Sequence, residues 1–167
     1  ETIRAALDAV RAELRTKDAA TCISQFKQYA DGHPKDAAAV FALSLAYGSH
    51  DRDKDAEAAC ARAFALDPSF HEAAYELALV RHAEHEPDGA VTMLRQYVMN
   101  VRYNADVRCL MAQYLMELDP AKHPTALAEA AMNLDKAEAL GGAGEKARAW
   151  KLREQLRRLR AAQASAG

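Results

Sequence analysis

The fold of this chain is decided by residues 37–70, which read AAAVFALSLAYGSHDRDKDAEAACARAFALDPSF. Apolar and small residues in the first part, from Val40 to Tyr47, recur at spacings of three and four, the pattern of an amphipathic helix. A polar turn follows at 51–55, and a second helical segment stops near Pro68, because proline cannot continue a helix and restricts the residue before it. The stretch therefore predicts a pair of helices joined by a short turn.

This pattern recurs with a period of about 34 residues, and residues of similar size occupy equivalent positions. A helical hairpin cannot bury its apolar face alone, so copies of it stack on one another and share a continuous core. The predicted fold class is therefore all-α, a stacked array of helical hairpins. The positions that keep the register are Pro34 and Pro68; Leu43, Leu77 and Met111; Ser44, Ala78 and Ala112; and Phe26, Cys60 and Leu94.

The register divides the chain into about four repeats within a single domain spanning 1–167. Their approximate bounds are 3–36, 37–70, 71–104 and 105–144. The second helix of the fourth repeat fits only if Ala130, Leu134 and Ala137 take the positions of Ala90, Leu94 and Tyr97, which requires about six inserted residues. The loop at 119–124, which contains two prolines, is where we expect the insertion.

A last helix is predicted at 145–163. Its residues Ala149, Leu152, Leu156, Leu159 and Gln163 are spaced three and four apart and form a narrow seam. One interpretation is a capping helix that shields the end of the array. The other is a short coiled coil that joins two copies of the chain, so a homo-oligomer formed through this helix is an alternative prediction.

Charge is distributed unevenly, although the net charge is only −2. From Glu145 onward seven basic residues stand against two acidic ones, which gives +5 and leaves −7 for the rest of the chain. Such asymmetry either steers association or marks a solvated helix face. Nucleic acid is a disfavoured partner, because phosphates would meet the field of the acidic body. A membrane partner is also disfavoured. No segment approaches the roughly 18 consecutive apolar residues of a membrane span, and the apolar seam of the last helix is narrow and largely Leu and Ala.

The three cysteines are Cys22, Cys60 and Cys109, an odd number without CxxC spacing. They fall at apolar helix positions and are interpreted as small buried hydrophobic residues. Reduced thiols favour a cytoplasmic location. The chain starts at Glu1 rather than Met, so we expect a trimmed amino terminus, and an upstream signal or anchor stays open.

No catalytic apparatus is visible in the sequence, which predicts a protein that is not an enzyme and has no cofactor. His82, His85 and Glu86 share one helix end at the spacing of metal ligands, but no further ligands follow at a telling interval. They are interpreted as surface side chains. Nucleophile-elbow, phosphate-loop and dinucleotide-binding motifs are absent from the sequence.

The residues that carry the period resemble the tetratricopeptide repeat (TPR) family over about residues 3–144. The resemblance implies a right-handed α-solenoid of about four hairpins plus the capping helix, with a concave groove that receives a peptide or helix of a partner protein. The matching residues are Val40, Leu43, Ser44, Tyr47, Ala56, Cys60, Ala63 and Pro68, and in the next repeat Ala74, Leu77, Ala78, Ala90 and Leu94.

The groove that the resemblance implies is lined by the first helix of each repeat. Its apolar anchors and acidic flank suit a partner segment that combines apolar residues with Lys or Arg. The lysine and asparagine set that clamps a carboxylate in chaperone-binding members of the family is absent from these positions. The implied groove residues are Phe41, Leu45, Ser49, Glu72, Tyr75, Glu76, Leu79, His82, Asp106, Cys109, Gln113, Met116 and Glu117.

Three functional hypotheses follow. The leading one is a non-catalytic interaction scaffold, an adaptor or assembly factor that binds its partner in the groove. The second is a self-assembling adaptor, in which the basic last helix of one copy docks on the acidic groove of another. The third is a regulatory TPR segment of a larger enzyme.

Overall fold

The computed structural model describes residue 12 and residues 18–166, and all regular structure in this part of the chain is α-helical. The first helix predicted for repeat 3–36, with Ile3, Leu7, Val10 and Leu14, lies outside the described residues. The described helices are α1 (Ala19–Gly32), α2 (Ala37–Gly48), α3 (Asp53–Leu66), α4 (His71–Ala83), α5 (Pro87–Asn100), α6 (Ala105–Leu115), α7 (Ala126–Leu140) and α8 (Ala143–Ala166).

Helix starts keep the predicted repeat register. The first backbone hydrogen bonds of α2, α4 and α6 are accepted by the carbonyls of Asp36, Phe70 and Asn104. Two of these residues also cap with their side chains: the Ala38 N–H donates to Asp36 Oδ1 at 2.9 Å, and Asn104 Oδ1 accepts from the helix that it precedes. Helices α2, α4 and α6 therefore begin at the first residues of the predicted repeats, and the division into repeats stays a prediction.

The turns inside the second and third hairpins are equivalent at the level of single hydrogen bonds. The Arg52 N–H donates to the Tyr47 carbonyl, and at the same positions of the next repeat the Glu86 N–H donates to the Arg81 carbonyl. The residue before each donor has left-handed backbone, with φ of 57° at Asp51 and 63° at His85. A left-handed residue is the usual way to end a helix and reverse the chain.

The fourth hairpin carries the predicted insertion. Hydrogen bonds at the ends of the second helices are donated by the N–H groups of His33, Asp67, Val101 and Gly141. The first two intervals between these donors equal one repeat, whereas the third is longer by six residues. The extra residues lie between α6 and α7. The prediction of an insertion of this size, in the loop that contains 119–124, is confirmed.

Contacts divide the chain into two compact units, 1–77 and 78–167, and the prediction of a single domain stays a prediction. In the first unit, the rings of Phe41 and Phe70 meet edge to face with centroids 5.2 Å apart. Ser44 is buried, and its hydroxyl donates to the Phe41 carbonyl at 2.7 Å. Its small size at this repeat position matches Ala78 and Ala112, which are also buried.

The second unit is built from α5 to α8 and the end of α4, and α6 packs against both α7 and α8. Arg95 of α5 binds the Glu129 carboxylate of α7 through two nitrogens, at 2.9 and 2.6 Å. The buried residues include the predicted positions Ala90, Leu94, Tyr97, Met111, Ala112, Ala130, Leu134 and Ala137.

Candidate partner-binding surface

The predicted groove residues of the first unit lie on α2 and α4. Leu45 is half-buried and Ser49 is exposed, with its hydroxyl donating to the Leu45 carbonyl at 2.8 Å. On α4, Glu72, Tyr75 and Glu76 are all half-buried. The half-buried side chains are thus partly exposed and partly packed against their own chain. Such packing holds a contact residue in place before a partner binds.

In the second unit the structure brings a predicted residue of α4 into direct contact with a predicted residue on the connection that follows α6. His82 Nε2 lies 2.6 Å from Glu117 Oε2. The imidazole also stacks on the Tyr114 ring, with centroids 3.8 Å apart and planes 4° apart. Leu79 lies one turn before His82 on α4, and Gln113 lies on α6 four residues before Glu117; both are half-buried. We call Leu79, His82, Gln113 and Glu117 the α4–α6 surface.

Tyr114, which holds His82 in place, is not among the residues implied by the TPR resemblance. The equivalent position of the preceding repeat is Val80, so the repeat register gives no aromatic signal there. The stacking partner could be found only from the structure, because it depends on how α6 rotates against α4.

Three of the implied groove residues are not available to a partner segment in the groove. Phe41 and Cys109 have no exposed surface, and Met116 is only 7% exposed. Phe41 is used in the ring contact with Phe70, and Cys109 lies where α6 meets the start of α8, with its sulfur 3.9 Å from the Glu145 carbonyl. Phe41 and Cys109 complete the core, and none of the three forms an exposed anchor in the groove, so the exposed role expected for them there is wrong.

Carboxylates of the predicted acidic flank have partners within the chain. Glu72 has His71 Nε2 at 3.3 Å, Glu117 has His82, and Asp106 has Arg148 of α8 at 3.7 Å. These are exposed or half-buried pairs of modest strength, so their carboxylates stay accessible to an incoming cation.

Helix α8 is longer than the predicted 145–163 and packs on its own chain. Ala149, Leu152 and Leu156 of the seam are buried. A coiled coil between two copies would need these same side chains, so the first part of the seam serves the capping role. Leu159 remains half-buried and Gln163 exposed.

The basic residues of α8 are largely engaged. Arg153 binds Asp135 and Glu138 of α7, Arg157 binds Glu154, and Arg160 donates to the Leu127 carbonyl at 3.0 Å. Within the described part of the chain, Lys146, Lys151 and Arg158 are the basic residues of α8 without an ion pair or side-chain hydrogen bond. Less free positive charge is therefore offered to a second copy than the sequence predicts.

All three cysteines are buried thiols, as predicted. Burial raises the pKa of the Cys60 thiol to about 12, and its Sγ lies 3.4 Å from the Ala73 carbonyl. Among the described residues, no group of three or more His, Cys, Asp and Glu side chains is arranged to hold a metal ion. His85, one of the residues weighed as a ligand, occupies the left-handed turn position instead.

The arrangement of these helices matches solved structures of MamA. One covers 82% of this chain and 72% of its own, at 19% identity and a TM-score of 0.62. A second covers 89% and 92%, at 16% identity and 0.61. A third, a MamA RS-1 ArsTM double mutant, covers 98% and 97%, at 13% identity and 0.66. The chain has a TPR-like helical-repeat fold.

The likeness is one of fold. The sequence matches no protein-family model and no curated protein. Across the residues that the structure describes, there is no helix both long enough and apolar enough to cross a membrane.

Proposed function

We propose that this chain is a non-catalytic interaction scaffold that binds a peptide or helix of a partner protein along the first helices of its repeats. The observation that carries the proposal is the α4–α6 surface. There Leu79 and Gln113 are left half-buried beside a histidine that is fixed by both a carboxylate and an aromatic ring. Side chains that are held in place lose little conformational entropy on binding, which favours affinity.

The partner chemistry follows from the groups on this surface. Leu79 offers apolar area, Gln113 offers amide donors and an acceptor, and the Glu117 carboxylate is 39% exposed. An amphipathic helix or extended segment with apolar residues and a Lys or Arg satisfies all three. The equivalent side chains on α2 and α4 of the first unit, among them Tyr75 and Glu76, have the same mixed character.

The test is an affinity capture from extract of the cells that make the protein, at moderate salt. The variant combines Leu79→Ala with Gln113→Ala. The matched control combines Thr92→Ala with Met99→Ala, which changes two exposed residues of the second helix α5. We expect a partner that binds the wild type and the control but not the variant, with circular dichroism unchanged in all three.

The partner identified in this way is then titrated into the purified chain by calorimetry, and Glu117→Gln is expected to weaken a basic segment several-fold. An identical set of captured proteins for the variant and the wild type would show that the first helices do not form the binding surface.

A further inference from the structure

The insertion in the fourth hairpin forms one wall of a cavity. Met116, Leu118 and Pro120 lie on the connection between α6 and α7, and Leu127 lies in the first turn of α7. The opposite wall is the last part of α8, where Leu159, Ala162 and Gln163 face these residues. The cavity volume is about 270 Å³. This is below the roughly 300–1,000 Å³ of small-molecule sites and suits a single large side chain.

The connection that forms this wall is held in one conformation. The Asp119 carbonyl accepts hydrogen bonds from the N–H groups of Lys122 and His123 at 3.1 and 2.9 Å, and its carboxylate accepts from the Ala121 N–H at 3.0 Å. His123 is bound in turn to Asp88 of α5 at 2.5 Å. Leu118 is only 5% exposed. The wall therefore exists before any ligand arrives.

The other wall is the end of α8, beyond the part that pairs with α7. Arg153 of α8 binds residues 135 and 138 of α7, whereas Arg160 binds Leu127, so the two helices run antiparallel. Because α7 begins at Ala126, the last turns of α8 extend past it. The apolar seam continues into this overhang, and Leu159 and Ala162 are left facing the cavity.

Basic side chains flank the residues of α8 that line the cavity. Arg158 is one helical turn from Ala162 and Arg160 is three residues from Gln163, so these two guanidinium groups flank the lining residues of α8 on opposite sides. Arg158 is exposed and has no ion pair within the described residues, and Arg160 is bound only by a neutral carbonyl. Lys122 on the connection is also exposed without an ion pair in the same region of the chain.

Basic groups outnumber the acidic groups in this part of the chain. Glu117 is paired with His82, and Asp119 keeps its negative charge although its carboxylate accepts the Ala121 N–H. These two carboxylates stand against the three cations Arg158, Arg160 and Lys122. An apolar cavity with basic groups on its rim is complementary to a large apolar side chain that has carboxylates on either side.

We propose that this cavity is a second docking site, which takes one Leu, Met or Phe of a partner segment that carries Asp or Glu next to that residue. The site lies on the connection and α8 rather than on the first helices, and its partner chemistry is opposite in charge to that of the α4–α6 surface.

The test measures fluorescence anisotropy with three labelled probe mixtures of short synthetic peptides. The first has Leu, Met or Phe at the centre and randomised Asp and Glu around it. The second keeps the apolar centre and has Lys and Arg around it. The third has Ser at the centre of the acidic frame. We expect the first mixture to bind at least tenfold more tightly than the other two, and to weaken as salt increases.

Two variants locate the binding on the chain. Ala162→Glu places a carboxylate on the cavity wall, and Arg158→Glu reverses a rim charge; both positions are exposed, so the fold is expected to tolerate them. Each should weaken the acidic apolar mixture at least tenfold. Lys151→Glu is the control, because it makes the same charge change on an exposed, unpaired residue of α8 two turns away, and it should retain affinity within twofold.

Each of the following results would overturn the proposal: equal binding of the acidic and basic mixtures, wild-type affinity in Ala162→Glu, or an equal loss in Lys151→Glu. Sedimentation of the chain without peptide tests whether a second copy of the chain occupies the cavity. Dimers that dissociate in Ala162→Glu would show that a second copy of the chain, not an acidic partner, fills the cavity.

Discussion

Arg108 and Asn133 form a buried polar pair between α6 and α7, and its energetics can be worked out from its contacts. Arg108 is 7% exposed and Asn133 is 4% exposed. The guanidinium Nη1 donates to Asn133 Oδ1 at 2.9 Å, and Nη2 makes a long bond of 3.4 Å to the Arg102 carbonyl. Within the described part of the structure, Nε is buried without a partner. Burial also lowers the pKa of this guanidinium.

These contacts predict different results for the two sides of the pair. Asn133→Leu leaves a buried charge without its best acceptor, and we expect a loss of about 2–3 kcal/mol in the free energy of unfolding. Arg108→Met leaves only a neutral amide unsatisfied but relieves the burial of a charge, so the expected loss is about 1 kcal/mol or less. The double variant removes both polar groups and should lie within about 1 kcal/mol of the wild type.

The assay is urea unfolding followed by the fluorescence of Trp150, the single tryptophan of the chain, which lies on α8 in the same unit as the pair. Asn133→Leu should also lower the melting temperature by about 5–10 °C. The double-mutant cycle decides the matter. If the double variant loses as much free energy of unfolding as the two single variants together, the pair is not coupled. That result would refute the argument that Asn133→Leu leaves a buried charge without its acceptor.

Three further predictions concern the backbone and the thiols. His85→Gly should stabilise the chain by about 0.5–1 kcal/mol, because glycine adopts the left-handed turn without strain. The control Glu84→Gly, at the neighbouring position with ordinary backbone, should destabilise the chain. Thermal unfolding measures both effects. Gly141→Ala should destabilise the chain by about 1–3 kcal/mol, since the new Cβ would lie 2.6 Å from Glu145 Cβ. The new Cβ of Gly144→Ala meets no atom within 4 Å, so this variant should be about 0.5 kcal/mol more stable. Urea unfolding of the two variants should therefore give opposite shifts. Burial raises the pKa of the Cys60 thiol to about 12, so this thiol should not react with Ellman's reagent at pH 8 until urea unfolds the chain. Rapid reaction in the folded protein would contradict its burial.

The helical hairpins could be predicted from the sequence because their signals are local. Small residues at 44, 78 and 112 and the stop near Pro68 are set by helix geometry, and they hold in the structure. The six-residue insertion was also visible, because Leu134 keeps its apolar register after the shift. Each of these features depends on neighbours within one repeat, so a single sequence carries the information.

The exposure of individual groove residues could not be predicted in the same way. The resemblance places Phe41 and Met116 on the first helices, but whether a side chain faces solvent depends on the rotation of one helix against the next. Phe41 turns toward Phe70, and Met116 turns into the cavity beside the insertion. The cavity itself needed the structure, because it joins residues of 116–127 to residues of 159–163 that no spacing connects.

The length of the connection between α6 and α7 has a consequence for where a repeat array can accept new sequence. Three residues join α4 to α5, whereas ten join α6 to α7, yet the hairpin still starts in register at Ala105. A longer loop of this kind adds only about 1 kcal/mol of closure entropy. The connection between α6 and α7 is therefore a natural graft position, where a new recognition loop can be introduced by evolution or by protein engineering without redesign of the neighbouring repeats.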